Sequence, residues 1–436
     1  EVVFFLFPTR IWQFGIGATF ALIPNLKIKN LILENIYTFL GISLIIYNFY
    51  NIPKNLPDST LMCAGLCLLL FKPMSEKNLF LVFFKLKPLI FIGLISYSMY
   101  LWHWPIISFL KYIYIENIPI IIMALALTLI LLLSSLSWKF IEQPFLNKFS
   151  DNFAIKFFGI SYVFLIATSL TIIATNNLPS RYGKFPNLIA QSIQTAYDCP
   201  PIQYRNFNGS LGCYINNKNN LIPKNILYGN SHAYMFGWSF IEYLKKTNQS
   251  GLILQVSCLP YIDKNVSLRC IEEARKRYNS IIQTKEKQNI YIGLSWASNV
   301  LQDEKGNYFR DKNFEVRKKS LDNLIDQLQK NNKNIILIGP VQNPEYDFAS
   351  KYSRQIIFGG KKFEGKRDKK EFLDNYKNII EYYKKKLGKN FIQPHKLLCD
   401  DNYCYYHDNN GSFFSDKNHL SKYGSMKMLK LFIKKD

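Results

Sequence analysis

The 436 residues suffice for two or three units of ordinary domain size, so no single reading covers the chain. Hydrophobic residues make up 48% of it but concentrate in residues 1 to 176, which excludes a wholly soluble protein. The formal net charge of +23 accompanies abundant Asn, Ile, Tyr and Phe without any basic-aromatic recognition motif, and this argues against nucleic acid as a partner.

Apolar stretches at 2–24, 31–50, 57–73, 88–110, 118–138 and 155–175 predict about six membrane helices, most near the roughly 20 residues a span requires. The third is short and is followed by a further apolar piece, Leu79–Phe84. Lys27 and Lys29, then Lys72, Lys77, Lys85 and Lys87, then Lys139, Lys148 and Lys156 fall in alternate loops. The loops between them carry only Lys54 with Asp58, and Lys111 with Glu116. With the Lys-rich loops on the cytoplasmic side, everything after about residue 177 is expected outside.

Three strings stand out in this half. "PTRIWQFGIG" carries Arg10 inside an apolar stretch, where a cation is costly unless it faces a polar cavity or an anionic group. "ISYSMYLWHWP" sets His103 between two tryptophans ahead of the helix-bending Pro105. "FIEQPF" carries Glu142, expected to be a solvated or Lys-paired carboxylate at a span end. Together and in this order the strings resemble the second half of the acyltransferase family 3 membrane proteins, over about residues 1 to 150. That resemblance implies transfer of acyl groups, typically acetyl from cytoplasmic acyl-CoA, onto bacterial surface carbohydrates. Gln13 stands where the family usually has Glu. The chain opens on Glu1 inside an apolar run, so an N-terminally truncated member is expected, for which a separate chain would be one source of the missing spans.

Residues 177–220 read as an extracytoplasmic linker, and residues 221–436 as a soluble α/β domain. Apolar runs at Asn225–Gly229, Leu252–Ser257, Ile290–Ser295, Ile335–Gly339 and Phe391–Gln393 alternate with helical patterns at 234–246, 269–286, 315–331 and 368–387. Such runs suit a parallel sheet covered by helices, with the ligand site at the carboxyl ends of the strands. Cys199, Cys213, Cys258, Cys270, Cys399 and Cys404 all fall here. In an oxidising compartment they are expected to pair, sequence neighbours first, rather than bind metal, because no CxxC spacing occurs and His is scarce. Cys63 and Cys67 lie in a span and read as small apolar residues.

The first run ends in "ILYGNSHAYMF", which places Ser231 at the start of a helix either as a nucleophile or as an N-cap. Near the other terminus "FFSDKNHLSKYGS" sets Asp416 three residues before His419. A hydroxyl, an imidazole and a carboxylate are thus available for acyl chemistry. The two segments resemble the SGNH hydrolase superfamily, of flavodoxin-like three-layer fold. The resemblance implies Ser231 as nucleophile, His419 as general base and Asp416 as its partner, with Asn230 where the superfamily usually has aspartate. Asn299 of "GLSWASN" is the candidate for completing the oxyanion hole. "VSCLPY" at 256–261 and "NLPSRYG" at 177–183 are similar to the SGNH-fused subgroup of the acyltransferase family. The implied whole is a multi-pass protein of the bacterial plasma membrane with no bound cofactor or metal. Acetyl-CoA would serve as acyl donor and a cell-surface glycan as acceptor, with a carbohydrate esterase or a silent glycan-binding module as alternatives.

Overall fold

The computed structural model describes residues 15, 18, 19, 30–50, 60–70, 75–114, 117–175, 183–216, 222–303, 305–359 and 362–433. The chain divides into two units, one of residues 1–108 with 119–158 and one of residues 109–118 with 159–436.

Among the described residues four helical segments are long and apolar enough to cross a membrane: Leu31–Tyr50, Lys87–Tyr114, Ile120–Asn147 and Asp151–Ala174. The expected first span, with Arg10 and Gln13, lies outside the described residues. The expected third is represented by the 11-residue helix Thr60–Leu70. No described side chain of Asp151–Ala174 is buried, so its apolar circumference is a surface suited to lipid.

Several polar side chains inside this apolar unit are partnered. A π-helical turn at Trp138–Glu142 aims Glu142 so that its Oε2 accepts the Ser98 hydroxyl at 3.1 Å. Glu142 is half-buried, so the expected solvated carboxylate holds in part; in place of a Lys partner it is tied to a buried serine of the "ISYSMYLWHWP" helix. Glu34, unremarked in the sequence, is buried and accepts from the Ser75 N–H at 2.6 Å and from Asn78 Nδ2 at 3.0 Å. His103 donates its Nδ1–H to the Met99 carbonyl one turn back, at 3.1 Å.

The second unit is built on a seven-stranded mixed sheet. Its strands are β1 (Tyr204–Phe207), β2 (Ser210–Ile215), β3 (Asn225–Gly229), β4 (Gly251–Gln255), β5 (Gln288–Gly293), β8 (Lys333–Ile338) and β10 (Phe391–Ile392). Between β5 and β8 lies the hairpin β6 (Val300–Gln302) with β7 (Tyr308–Arg310), and β9 (Lys366–Asp368) precedes β10. The sheet runs β1-β2-β4-β3-β5-β8-β10, parallel from β4 through β10 and antiparallel at β2 and β1. β3 is central and every one of its residues is buried, as its unbroken apolar run requires.

The five parallel strands begin and end within two residues of the expected runs. Residues 204–215 differ from the expectation, since the stretch read as linker supplies the antiparallel edge. Its alternating exposure, with Leu211 out and Gly212 in, hides the strand signal in a Gly- and Asn-rich context. Three disulfides, Cys199–Cys213, Cys258–Cys270 and Cys399–Cys404, join sequence neighbours, the first tying the segment before the sheet to β2.

Candidate active site

Strand β3 ends at Gly229, whose φ of 147° suits glycine, and a Cβ there would lie 1.8 Å from the Gly293 carbonyl oxygen. Gly293 is equally constrained, since a Cβ on it would meet the Ala233 Cα at 2.6 Å. These two glycines let the short helix Ser231–Tyr234 sit directly on the sheet at the carboxyl ends of β3 and β5. The capping role falls to Asn230: its Oδ1 accepts the His232 N–H at 3.1 Å and its carbonyl accepts from Ala233 at 2.8 Å. The Ser231 hydroxyl is thereby released from capping.

His419 reaches that hydroxyl through packing at the chain's far end. Ring contacts set Phe432 against Phe240, Tyr243 and Tyr291, so the C-terminal helices dock on helix Gly237–Lys246, which follows Ser231. The hydroxyl of Ser425 accepts the Ser239 N–H at 3.3 Å in the same contact. Ahead of these helices the loop 415–419 closes on itself, with the Ser415 N–H donating to the His419 carbonyl at 2.9 Å.

Within the loop, Asp416 Oδ1 accepts the N–H groups of Asn418 and His419 at 2.7 and 2.8 Å. Its Oδ2 accepts the His419 Nδ1–H at 2.8 Å, and His419 Nε2 accepts the Ser231 hydroxyl at 2.9 Å. The three groups predicted from the ends of the domain thus form one continuous hydrogen-bonded chain. Burial by itself would raise the Asp416 carboxyl, but the bonds from His419 and the two amides outweigh it and hold the group down at about 2. A permanently ionised carboxylate fixes the imidazole tautomer that leaves Nε2 free to take a proton. Among the described residues the Ser231 N–H has no hydrogen-bond acceptor, so it is available to an oxyanion.

A polar cleft of about 740 Å³ opens beside this chain, lined by residues of the 295–298 loop, of 341–345 and of helix Lys369–Leu387, and by His232, Lys417 and Asn418. The 295–298 loop is pinned from below by Arg317, which is buried, pairs with Asp311 at 3.1 Å and donates to the carbonyls of Trp296 and Ser298 at 2.9 and 2.8 Å. Asn299, the expected oxyanion donor, offers its carbonyl to the Asp311 N–H at 2.8 Å, and the loop residues that line the cleft are Ser295, Ala297 and Ser298. His103 belongs to helix Lys87–Tyr114, one of the segments long and apolar enough to cross a membrane, and Arg10 lies outside the described residues.

Sequence reasoning passed over His232. It is buried next to Ser231, with its ring centroid 5.2 Å from that of His419, and burial followed by the neighbouring imidazole lowers it to about 4. The available signal was its position immediately after the candidate nucleophile.

Residues 198–434 match the family described as the SGNH domain fused to AT3 domains. The chain belongs to that family. Over 78 residues it is 41% identical to the O-acetyltransferase OatA of Staphylococcus aureus, a match covering 18% of this chain and 13% of OatA. BcsY of Komagataeibacter xylinus, named as a membrane-bound transacylase, is 28% identical over 145 residues, covering 32% of this chain and 36% of BcsY. The chain therefore matches well under half the length of either relative. Among solved structures, the periplasmic domain of the Salmonella ser. Paratyphi A lipopolysaccharide acetyltransferase aligns at a TM-score of 0.38 and 20% identity, covering 49% of this chain and 84% of that one.

Two outcomes follow from the geometry of this SGNH domain. A serine-directed phosphonate should modify Ser231, and His419→Gln should slow that modification by roughly 10²–10⁴-fold; mass spectrometry of the labelled peptide checks both, and equal rates would remove the histidine from the reaction. Asp416 is lowered on folding, so the stability it contributes is present above its ordinary value of 3.8 and is lost as pH falls towards about 2. Asp416→Asn should therefore flatten the acid limb of stability against pH in that window, measured by circular dichroism.

Proposed function

We propose that the chain is an O-acyltransferase of bacterial cell-envelope glycans, working through an acyl-enzyme on Ser231. The 2.9 Å contact between Ser231 Oγ and His419 Nε2, with Asp416 behind it, is the observation that carries this reading. Membership of a family in which the SGNH domain is fused to AT3 domains, and relatives named as an O-acetyltransferase and a transacylase, support acetyl as the group transferred.

In the first half-reaction His419 Nε2 takes the Ser231 proton while Oγ attacks the carbonyl carbon of an acyl donor. The oxyanion that forms accepts the Ser231 N–H, and the donor leaves with the proton held by His419. A sugar hydroxyl then attacks the acyl-serine and gives its proton to His419. The bond from carbon to Ser231 Oγ breaks, and Oγ recovers that proton. Asp416 stays ionised throughout and stabilises the imidazolium of each half-reaction.

In the same reading residues 1–176 form the acyltransferase-3 part with about six spans, residues 177–197 lead out of it, and residues 198–436, which include the β1–β2 edge of the sheet, act outside the plasma membrane. The charge alternation of the loops supports that orientation. Acetyl-CoA on the cytoplasmic side is the proposed source of acyl groups. Polysaccharide or lipopolysaccharide sugars are the proposed acceptors.

Product analysis tests the proposal against a carbohydrate esterase. The full chain in detergent micelles, given an activated acetyl ester with and without cell-envelope glycan, should release acetate slowly alone and form glycan ester when the glycan is present. Acetate release that glycan does not divert would make the protein an esterase.

A further inference from the structure

The cleft beside Ser231 has a composition that the acyl-enzyme chemistry does not use. His232, next to the nucleophile in the chain, lines it, and Tyr376 and Asn375 line it from helix Lys369–Leu387. Asn343 lines it as well, and its Oδ1 is buried with no hydrogen-bond donor among the described residues. A buried acceptor left unpaired costs roughly 1–3 kcal/mol, so a donor is expected from whatever enters the cleft.

The charged groups around the cleft cancel. Arg367 is engaged by Glu345 at 2.8 Å and by both carboxylate oxygens of Glu371, and the remaining cation, Lys417, is exposed to solvent. Arg367, matched by two carboxylates, is thus not free to select a carboxylate or phosphate, and Lys417 remains a solvated cation at the rim. Amide and hydroxyl groups together with an aromatic ring suit a molecule that is polar at its edge and less so on its face.

We infer that this cleft is the acceptor subsite, that it takes an uncharged, hydroxyl-rich sugar ring, and that the His232 imidazole contacts the accepting hydroxyl beside Ser231. The inference rests on the acyl-enzyme reading above and adds the place where the sugar binds, its lack of charge, and the residue that separates sugar from water. Among the described residues the ring nitrogens of His232 make no hydrogen bond. Burial and the adjacent His419 keep the ring neutral at pH 7, so one nitrogen donates and the other accepts. A hydroxyl, which both donates and accepts, complements that pair. His232 thus orients the acceptor while His419 takes its proton.

The test uses the full chain in detergent micelles with nitrophenyl acetate as donor, and measures the ratio of sugar ester formed to acetate released. Methyl glucoside supplies the uncharged acceptor, and glucuronate the anionic one. The uncharged sugar should be acetylated at least about tenfold better. His232→Phe, which keeps a ring but no nitrogen, should lower the ratio by roughly tenfold or more, and His232→Gln should recover part of it. Asn375→Trp, on the exposed side of its helix, should raise the KM for methyl glucoside by crowding the cleft. An unchanged ratio in His232→Phe, or preference for glucuronate, would overturn the inference while leaving an acetylated Ser231 intact. A wild-type protein in which Ser231 is never acetylated would instead overturn the acyl-enzyme reading, and this inference with it.

Discussion

The hydrogen bond from Ser231 to His419 joins residues 188 positions apart, and the soluble unit is arranged around making it. It needs a nucleophile held at the carboxyl edge of the central strand and a base carried back from the far terminus. Glycines at 229 and 293 meet the first need by letting the Ser231 helix lie against the sheet. The second is met by Phe432 and Ser425, which dock the last helices onto the helix following Ser231. Gly424 belongs to the same arrangement, because a Cβ there would lie 2.0 Å from the Phe413 carbonyl oxygen.

The electrostatics divide the labour between two imidazoles. His419 faces an ionised carboxylate that two amides keep ionised, so a positive charge on its ring has a partner. His232, though its ring lies 5.2 Å away, is buried and carries no such partner, so it remains neutral. Two rings of one chemistry, separated by their environments, can therefore hold different tasks at one site.

Much of this was legible in the sequence because it rested on local patterns. Unbroken apolar runs marked the five parallel strands, and the three-residue step from Asp416 to His419 implied a turn that brings both side chains to one side. That the six cysteines pair was legible from their even number in an oxidising compartment, whereas the choice of neighbours among fifteen pairings is supplied by the structure. What escaped was set by distant contacts. β1 and β2 are short, with Gly and Asn in place of an apolar run, and become strands because β2 pairs with β4 and β1 with β2. The role of Glu142 depends on Ser98, 44 positions earlier. Asn299 has the residue type of an oxyanion donor, but its loop is set by the buried Arg317–Asp311 pair, which no short motif announces. His232 was hidden by sharing a motif with a residue of more obvious chemistry.

The account is tested most directly by trapping the intermediate. Full-length protein mixed with an activated acetyl donor, quenched within one turnover and digested, should yield the peptide carrying Ser231 heavier by one acetyl group in proportion to active sites. That acetyl should disappear as glycan ester forms when acceptor is added. Glycan ester formed at the same rate by Ser231→Ala, or with the Ser231 peptide unmodified at every quench time, would contradict the claim that this hydroxyl carries the acyl group.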